Sequence, residues 1–161
     1  MATSTEYPNG DKLSMVVEQL INEYLHEGRV MQLATVKGDQ PWICSVYYVA
    51  DGQTLYWLSW PTRRHSQEVT QNPKAAATIM IHAAQPVVGI QVEGDVEEVS
   101  SQTEVDQIAQ KYLALHGVGE QFAANFAKGT NQHHMYKLSP RRIVLFDERH
   151  FAGDARQEMT L

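Results

Sequence analysis

Short apolar runs separated by turn-forming residues follow one another along most of the chain. Their length and their many β-branched and aromatic side chains are typical of strands. The pattern predicts strands at residues 29–36, 42–49, 54–59, 74–81, 87–99, 133–138 and 142–146. Because strands outnumber helices and do not alternate regularly with them, we expect a mainly β protein: a small antiparallel barrel with flanking helices.

Apolar residues recur at helical spacing in two longer stretches. The first helix is predicted to start at Asp11 and to end before Gly28. The second helix is predicted to start at a capping box, Ser101 to Glu104, and to end at Gly117. A shorter helix is predicted over residues 120–127. We therefore expect a flexible arm at 1–10, one domain over 11–150 and a polar C-terminal tail at 151–161.

The net charge of −6 over 161 residues argues against a basic surface for nucleic acid. The single cysteine, Cys44, rules out an internal disulfide framework and fits a reducing compartment. No apolar run approaches the length of a membrane span. A cytoplasmic protein without a membrane or nucleic-acid partner is the expectation.

Residues 55–73 carry the most chemical information. The strand 54–59 is interrupted by Trp60-Pro61, after which Thr62 can cap a helix that starts near Arg63 and closes at Asn72. Free backbone N–H groups, the positive end of the helix dipole, Arg63, Arg64 and His65 would then converge, which suits a dianionic phosphate. The alternative is that these three side chains form only a solvated surface patch.

The segments LATVKGDQPWICSVYYVADGQTLYWLSWPTRRHSQEVTQNPKAAATI, GIQVEGDVEEVS and PRRIVLF follow a leading helix in this order. The arrangement resembles the pyridoxamine 5′-phosphate oxidase-like family, the FMN-binding split β-barrels of antiparallel Greek-key type, over roughly residues 12–150. The resemblance implies a homodimer with FMN in a groove at the subunit interface.

The same resemblance implies a set of cofactor-binding residues. They are Ile43, Cys44, Ser45, Val46, Leu58, Ser59, Arg63, Arg64, His65, Gln91 and Phe146. Arg64 is expected to be the main phosphate ligand because its charge is permanent, whereas His65 stands where lysine is usual. Gln91 either supplies an amide contact to the flavin ring or is merely a polar residue on an exposed strand face.

The implied function is that of a small FMN-dependent oxidoreductase with a small-molecule substrate or a nicotinamide donor. Vitamin B6 oxidase activity is not expected, because Tyr48 stands where the authentic oxidases have a lysine. The alternatives are a non-catalytic flavin carrier or stress-associated flavin-binding protein, and a split barrel that binds deazaflavin or haem. No catalytic residue is assigned.

Other reactive side chains have simpler explanations. Adjacent histidines on a strand, such as His133 and His134, face opposite ways and rarely share an ion, so no metal site is predicted. Cys44 is expected to be a buried, unreactive thiol. Trp60 can border the ligand groove.

Overall fold

The computed structural model describes residues 9–161, and strands dominate them as the apolar pattern predicts. The eight strands of this part of the chain are β1 (Val30–Lys37), β2 (Gln40–Tyr47), β3 (Val49–Asp51), β4 (Thr54–Ser59), β5 (Lys74–His82), β6 (Val88–Glu98), β7 (His134–Asp147) and β8 (Arg156–Thr160). The four helices are α1 (Asn9–Glu27), α2 (Arg64–Gln71), α3 (Gln102–His116) and α4 (Glu120–Ala127).

The strands form one antiparallel sheet in the order β2-β1-β5-β6-β7-β4-β3, and β8 pairs with the second half of β7. The two strands at opposite ends of this order, β2 and β3, are separated in the chain only by Tyr48. The sheet must therefore curl round on itself. Since no backbone pairing joins β2 to β3 or β4 within residues 9–161, the barrel stays split along that line. The predicted fold class, a split barrel with flanking helices, is confirmed.

The core fills the inside of this curled sheet, and α1 covers one end of it. Trp57 and Tyr48 are its largest fully buried side chains. The Tyr48 hydroxyl donates to the Leu25 carbonyl oxygen at 2.8 Å and so ties the sheet to α1. A side chain at Gly28 would collide with that hydroxyl, since a Cβ there would lie 2.2 Å from it.

The pairing of strands changes three details of the prediction. Residues 134–147 form one continuous strand, β7, because Pro140 still pairs with Gly94 and a register shift leaves Arg141 out of the pairing with β6. Residues 50–51, which lie between two predicted strands, belong to β3. The polar C-terminal tail contains β8, which was not predicted.

Some predictions lie at the limits of the described chain. Of the predicted arm, residues 1–8 are outside the described residues, and Asn9 and Gly10 already belong to α1. The helices of the described part are all too short or too polar to cross a membrane.

Candidate functional site

A cleft of about 390 Å³ opens where the barrel is split, between β2, the end of β4 and the start of α2. This volume suits one small-molecule ligand. The side chains that line the cleft are Ser45, Val46, Tyr47, Leu58, Ser59, Trp60, Arg63, His65, Tyr112, Val118, Phe122 and His133. We call Ser45, Ser59, Arg63 and His65 the polar end, and Tyr47, Trp60, Tyr112, Val118, Phe122 and His133 the aromatic end.

The polar end is built by the turn between β4 and α2. The Arg63 N–H donates to the Trp60 carbonyl oxygen at 3.0 Å, and the extended backbone of Arg63 makes it the N-cap residue of α2. No side chain caps this helix, so the prediction that Thr62 does so is wrong: the helix starts one residue later. The N–H groups of the first helical turn therefore lack a side-chain acceptor and are available to an anion.

His65 is the centre of a hydrogen-bonded chain at the polar end. Its Nε2 atom lies 2.8 Å from Ser59 Oγ, and its Nδ1 atom lies 3.4 Å from Cys44 Sγ. The Ser66 hydroxyl donates to Ser59 Oγ at 3.2 Å. Burial, and after it the Arg63 guanidinium, lower the pKa of His65, so the imidazole is neutral near pH 7.

The other partner of His65, Cys44, lies half-buried on the inner side of β2. Burial, and after it the Glu68 carboxylate, raise the pKa of the Cys44 thiol. The sulfur therefore stays protonated near pH 7, and a thiol is a much weaker nucleophile than a thiolate.

Arg64 lies apart from the cleft. Its Nε atom is 2.8 Å from Glu68 Oε1, and its guanidinium lies 4.3 Å from the centroid of the Trp42 ring. Burial alone would raise the pKa of Glu68, but hydrogen bonds from Thr35 and Arg64 outweigh it and hold the pKa below its usual value. The structure thus pairs Arg64 with a buried carboxylate and does not bring it to the polar end with Arg63 and His65.

Arg63 is the guanidinium that lines the cleft. It lies 5.0 Å from the centroid of the Trp60 ring, at the border between the polar and aromatic ends. No carboxylate forms an ion pair with it in residues 9–161, so its charge is available to a ligand.

Ile43, Gln91 and Phe146, which were also predicted to bind the cofactor, lie on the outer face of the sheet. Ser45 pairs with Gln32, Gln32 with Thr78, Thr78 with Gln91, and Gln91 with Val144, so these side chains form one row across five strands. Gln91 is exposed there and lines a shallow groove of about 430 Å³ together with Ile43.

Phe146 lies on the same outer face, two residues beyond Val144 along β7, and it pairs with Gly89. Cys44 and Val46, by contrast, pack against the core. Six of the predicted cofactor-binding residues therefore line the cleft: Ser45, Val46, Leu58, Ser59, Arg63 and His65. Cys44 lies beside them. Four others lie away from the cleft: Ile43, Arg64, Gln91 and Phe146.

No local pattern in the chain indicates that Tyr112, Phe122 and His133 line the cleft. Only the strand register reveals His133: β4 pairs with β7 so that Ser59 lies opposite His134, which brings Trp60 beside His133. Trp60 Nε1 donates to His133 Nδ1 at 3.0 Å. The histidines do not assemble a metal centre, since no group of three or more His, Cys, Asp or Glu side chains in the described part of the chain is placed to hold an ion.

Comparisons with known proteins agree with this architecture. A family model described as pyridoxamine 5′-phosphate oxidase matches residues 17–146. A UPF0306 protein from Photorhabdus laumondii is 33% identical over 97 residues, a segment that spans 57% of this chain and 66%, just under two thirds, of that relative.

Two solved structures have the same fold. A heme binding protein from Mycobacterium smegmatis superposes with a TM-score of 0.72 at 16% identity, over 89% of this chain and 57% of the other. A FAD-binding protein from Mesorhizobium loti superposes with a TM-score of 0.62 at 18% identity, over 80% of this chain and 89% of the other. Since the family model matches most of the chain, the chain belongs to the pyridoxamine 5′-phosphate oxidase family.

Proposed function

We propose that the protein binds FMN in the cleft and acts as a small flavin-dependent oxidoreductase. One observation carries this proposal. Ser59, Arg63, His65 and the uncapped first turn of α2 converge at one end of a cleft beside the unpaired edge of β2.

The polar end has the donor set that a phosphate monoester needs. It combines a guanidinium that no carboxylate of the described chain pairs with, an imidazole, hydroxyl groups and helix N–H groups, all of which donate hydrogen bonds to phosphate oxygens. The residues present therefore fit the phosphate of FMN. Arg63 would provide the permanent charge and Ser59 a neutral hydrogen bond.

The walls beyond the polar end suit the ring of the cofactor. Val46 and Leu58 line the cleft with apolar surface, and the outer edge of β2 offers backbone N–H and C=O groups to the polar rim of a flavin. A bound flavin supplies hydride and electron transfer, while the chain's own residues anchor it and leave one side open to a substrate.

Vitamin B6 oxidation is not the proposed reaction. Tyr48 is fully buried, and its hydroxyl is bound to the Leu25 carbonyl oxygen, so it does not reach the cleft. It offers no cation for a second phosphate.

A homodimer is part of the proposal. Ile43, Met80 and Phe146 are 59%, 55% and 36% exposed on the outer face of the sheet, where they flank small side chains such as Ala34 and Ala76. An apolar face of this kind favours association. A second copy covering it would also explain why Gln91 and Phe146, which the resemblance assigns to the cofactor, lie away from the cleft of their own chain.

The purified protein provides the first test. We expect a flavin absorption spectrum, or a rise in melting temperature when FMN is added to protein without cofactor, because a ligand that binds only the folded state stabilises it. Protein that shows no flavin absorbance and no shift with saturating FMN would refute the proposal.

Anaerobic NADH or NADPH then separates an oxidoreductase from a non-catalytic flavin carrier: an enzyme that uses either donor bleaches the bound flavin within seconds to minutes.

A haem-binding protein is the second candidate. The likeness to the heme binding protein of Mycobacterium smegmatis favours it, as do the two histidines, His65 and His133, that line the cleft. Parallel titrations with FMN, deazaflavin and haemin decide the matter. Preferential binding of haemin with a Soret band that His133→Ala abolishes would replace the flavin assignment.

A further inference from the structure

Three rings from distant parts of the chain meet at the aromatic end of the cleft. The rings of Trp60 and His133 have centroids 5.6 Å apart at 71°, and those of Phe122 and His133 are 5.2 Å apart at 66°. Such edge-to-face contacts hold aromatic rings in place. We call Trp60, Phe122 and His133 the aromatic wall.

The aromatic wall offers one polar atom to a ligand. His133 Nδ1 accepts the Trp60 Nε1–H at 3.0 Å, so the neutral ring carries its proton on the other nitrogen. The other ring nitrogen, Nε2, has no hydrogen-bond partner in residues 9–161. A ligand in the cleft can therefore bond this nitrogen without displacing a protein contact.

This end of the cleft is also uncharged. Burial, and after it Arg63, lower the pKa of His133, so the imidazole is neutral near pH 7. Burial, and after it Tyr47, raise the pKa of Tyr112 to about 12, so the phenol keeps its proton. Among residues 9–161, no carboxylate or ammonium group lines this end, and the Arg63 guanidinium over Trp60 disfavours a cationic ligand.

We infer that the aromatic wall is a substrate site for a planar, uncharged ring that carries a hydrogen-bonding group on its edge. The ring packs against Phe122 and Trp60, and its edge group bonds His133 Nε2. That this ring is the reaction partner of a flavin rests on the proposed function; that the wall binds such a ring does not.

Two ligands of equal size separate planarity from mere apolarity. The planar lactam isoquinolin-1(2H)-one and its saturated decahydro analogue are titrated into the FMN-loaded protein and followed by saturation-transfer NMR. We expect the planar lactam to bind roughly tenfold more tightly, because only it can stack. The planar cation N-methylisoquinolinium should bind more weakly than the lactam.

Single substitutions then locate the site. Phe122→Leu removes a ring, and His133→Phe keeps the ring but removes Nε2; each should weaken binding of the planar lactam by about fivefold. Phe151→Leu is the matched control, because Phe151 packs against the main hydrophobic core and does not line the cleft. It should leave the affinity within about twofold of the wild-type value.

Equal affinities for the two lactams, or wall variants that bind like the wild type, would overturn the inference. So would a planar lactam that competes with FMN, since the wall would then hold the cofactor ring itself. If the protein takes up no FMN, the proposed function fails, and the same titrations on the protein without cofactor still decide whether the wall binds the planar lactam.

Discussion

His65 makes the charge of the polar end depend on pH. The groups that face it are Ser59 on β4, Cys44 on β2, and Arg63 and Glu68 around α2. A bound phosphate dianion would stabilise the imidazolium and raise the pKa of His65 above its lowered value in the free protein. The imidazolium charge contributes its full gain in phosphate affinity below the pKa that His65 has in the free protein. This gain is lost as pH rises through the higher pKa that His65 has in the complex.

FMN affinity should therefore go on falling as pH rises above about 7 towards the pKa of the occupied site, by at most about tenfold per unit, since one proton is taken up. The phosphate is already a dianion there, so its own ionisation does not cause the fall. The dissociation constant can be followed from pH 6.5 to 9 by quenching of flavin fluorescence.

Two controls show whether His65 causes the pH dependence of FMN affinity. His65→Lys should give a flat profile over this range, because lysine keeps its charge. Riboflavin, which lacks the phosphate, should also show no fall with the wild-type protein. A wild-type slope that matches that of His65→Lys would contradict the role given to His65.

The two adjacent arginines are expected to have different roles, contrary to the expectation from the sequence that Arg64 binds the phosphate. Arg63→Gln should weaken FMN binding roughly tenfold or more, because it removes a charged donor from the cleft. Arg64→Gln should instead lower the free energy of unfolding by about 1–2 kcal/mol, since it leaves the buried Glu68 carboxylate with fewer partners. Fluorescence titration and urea denaturation measure the two effects.

The double variant Arg64→Gln/Glu68→Gln is the control for the structural role. It should recover part of the lost stability, because the unpaired carboxylate is gone. If Arg64→Gln costs more FMN affinity than Arg63→Gln, the phosphate lies at Arg64 and the original expectation is right.

Among the elements, β6 depends on a close approach of β7. A Cβ at Gly94 would lie 2.1 Å from the Ser139 carbonyl oxygen, at the point where the register between the two strands shifts. The sequence places two glycines, Gly89 and Gly94, inside this strand, and glycine within a strand indicates bending or close approach by another segment. The structure confirms close approach at Gly94, whereas at Gly89 the nearest atom would be 3.5 Å away, an ordinary contact.

Gly94→Ala should lower the free energy of unfolding by about 2–3 kcal/mol, because the obstructing atom belongs to the backbone and cannot rotate away. Gly89→Ala, in the same strand, is the matched control and should change stability by less than about 1 kcal/mol. Urea denaturation of the two variants makes the comparison. Equal losses would mean that the cost is one of strand propensity and not of steric overlap.

Most of the individual helices and strands could be predicted from the sequence. The Ser101 hydroxyl accepts the Glu104 N–H at the start of α3, and Gly117 ends that helix in the left-handed region, as the local residues indicate. The start of α2 was misplaced by one residue, because the local signal favours Thr62 as the cap, whereas the N-cap residue in the structure is Arg63, whose side chain makes no capping hydrogen bond. Strand β8 was missed because a short polar strand has no apolar pattern and depends on pairing with β7.

For the whole molecule, association through the outer sheet face is the main prediction. Met80→Lys and Ile43→Lys should each convert a dimer into monomers, because a charge would be buried in an apolar contact. Light scattering coupled to size-exclusion chromatography measures the mass. Met15→Lys, at a residue 60% exposed on α1, is the control and should leave the mass unchanged. A monomeric wild-type protein would contradict the dimer.

From local patterns alone, the segments that become the helices and the strands other than β3 and β8 could be predicted, as could the barrel with a basic turn after β4. These features follow from local periodicity, turn residues and caps, which act within a few positions of each other. The resemblance to the pyridoxamine 5′-phosphate oxidase-like family was carried by the same local segments.

Which side chains share the cleft depends instead on how distant segments of the chain pack together. The phase of α2 directs His65 towards Ser59 and directs the preceding Arg64 to Glu68. The pairing of β4 with β7 brings His133 beside Trp60, although they are far apart in the chain. Such outcomes depend on helix phase and on strand register between distant segments, and no local pattern of residues specifies either of them.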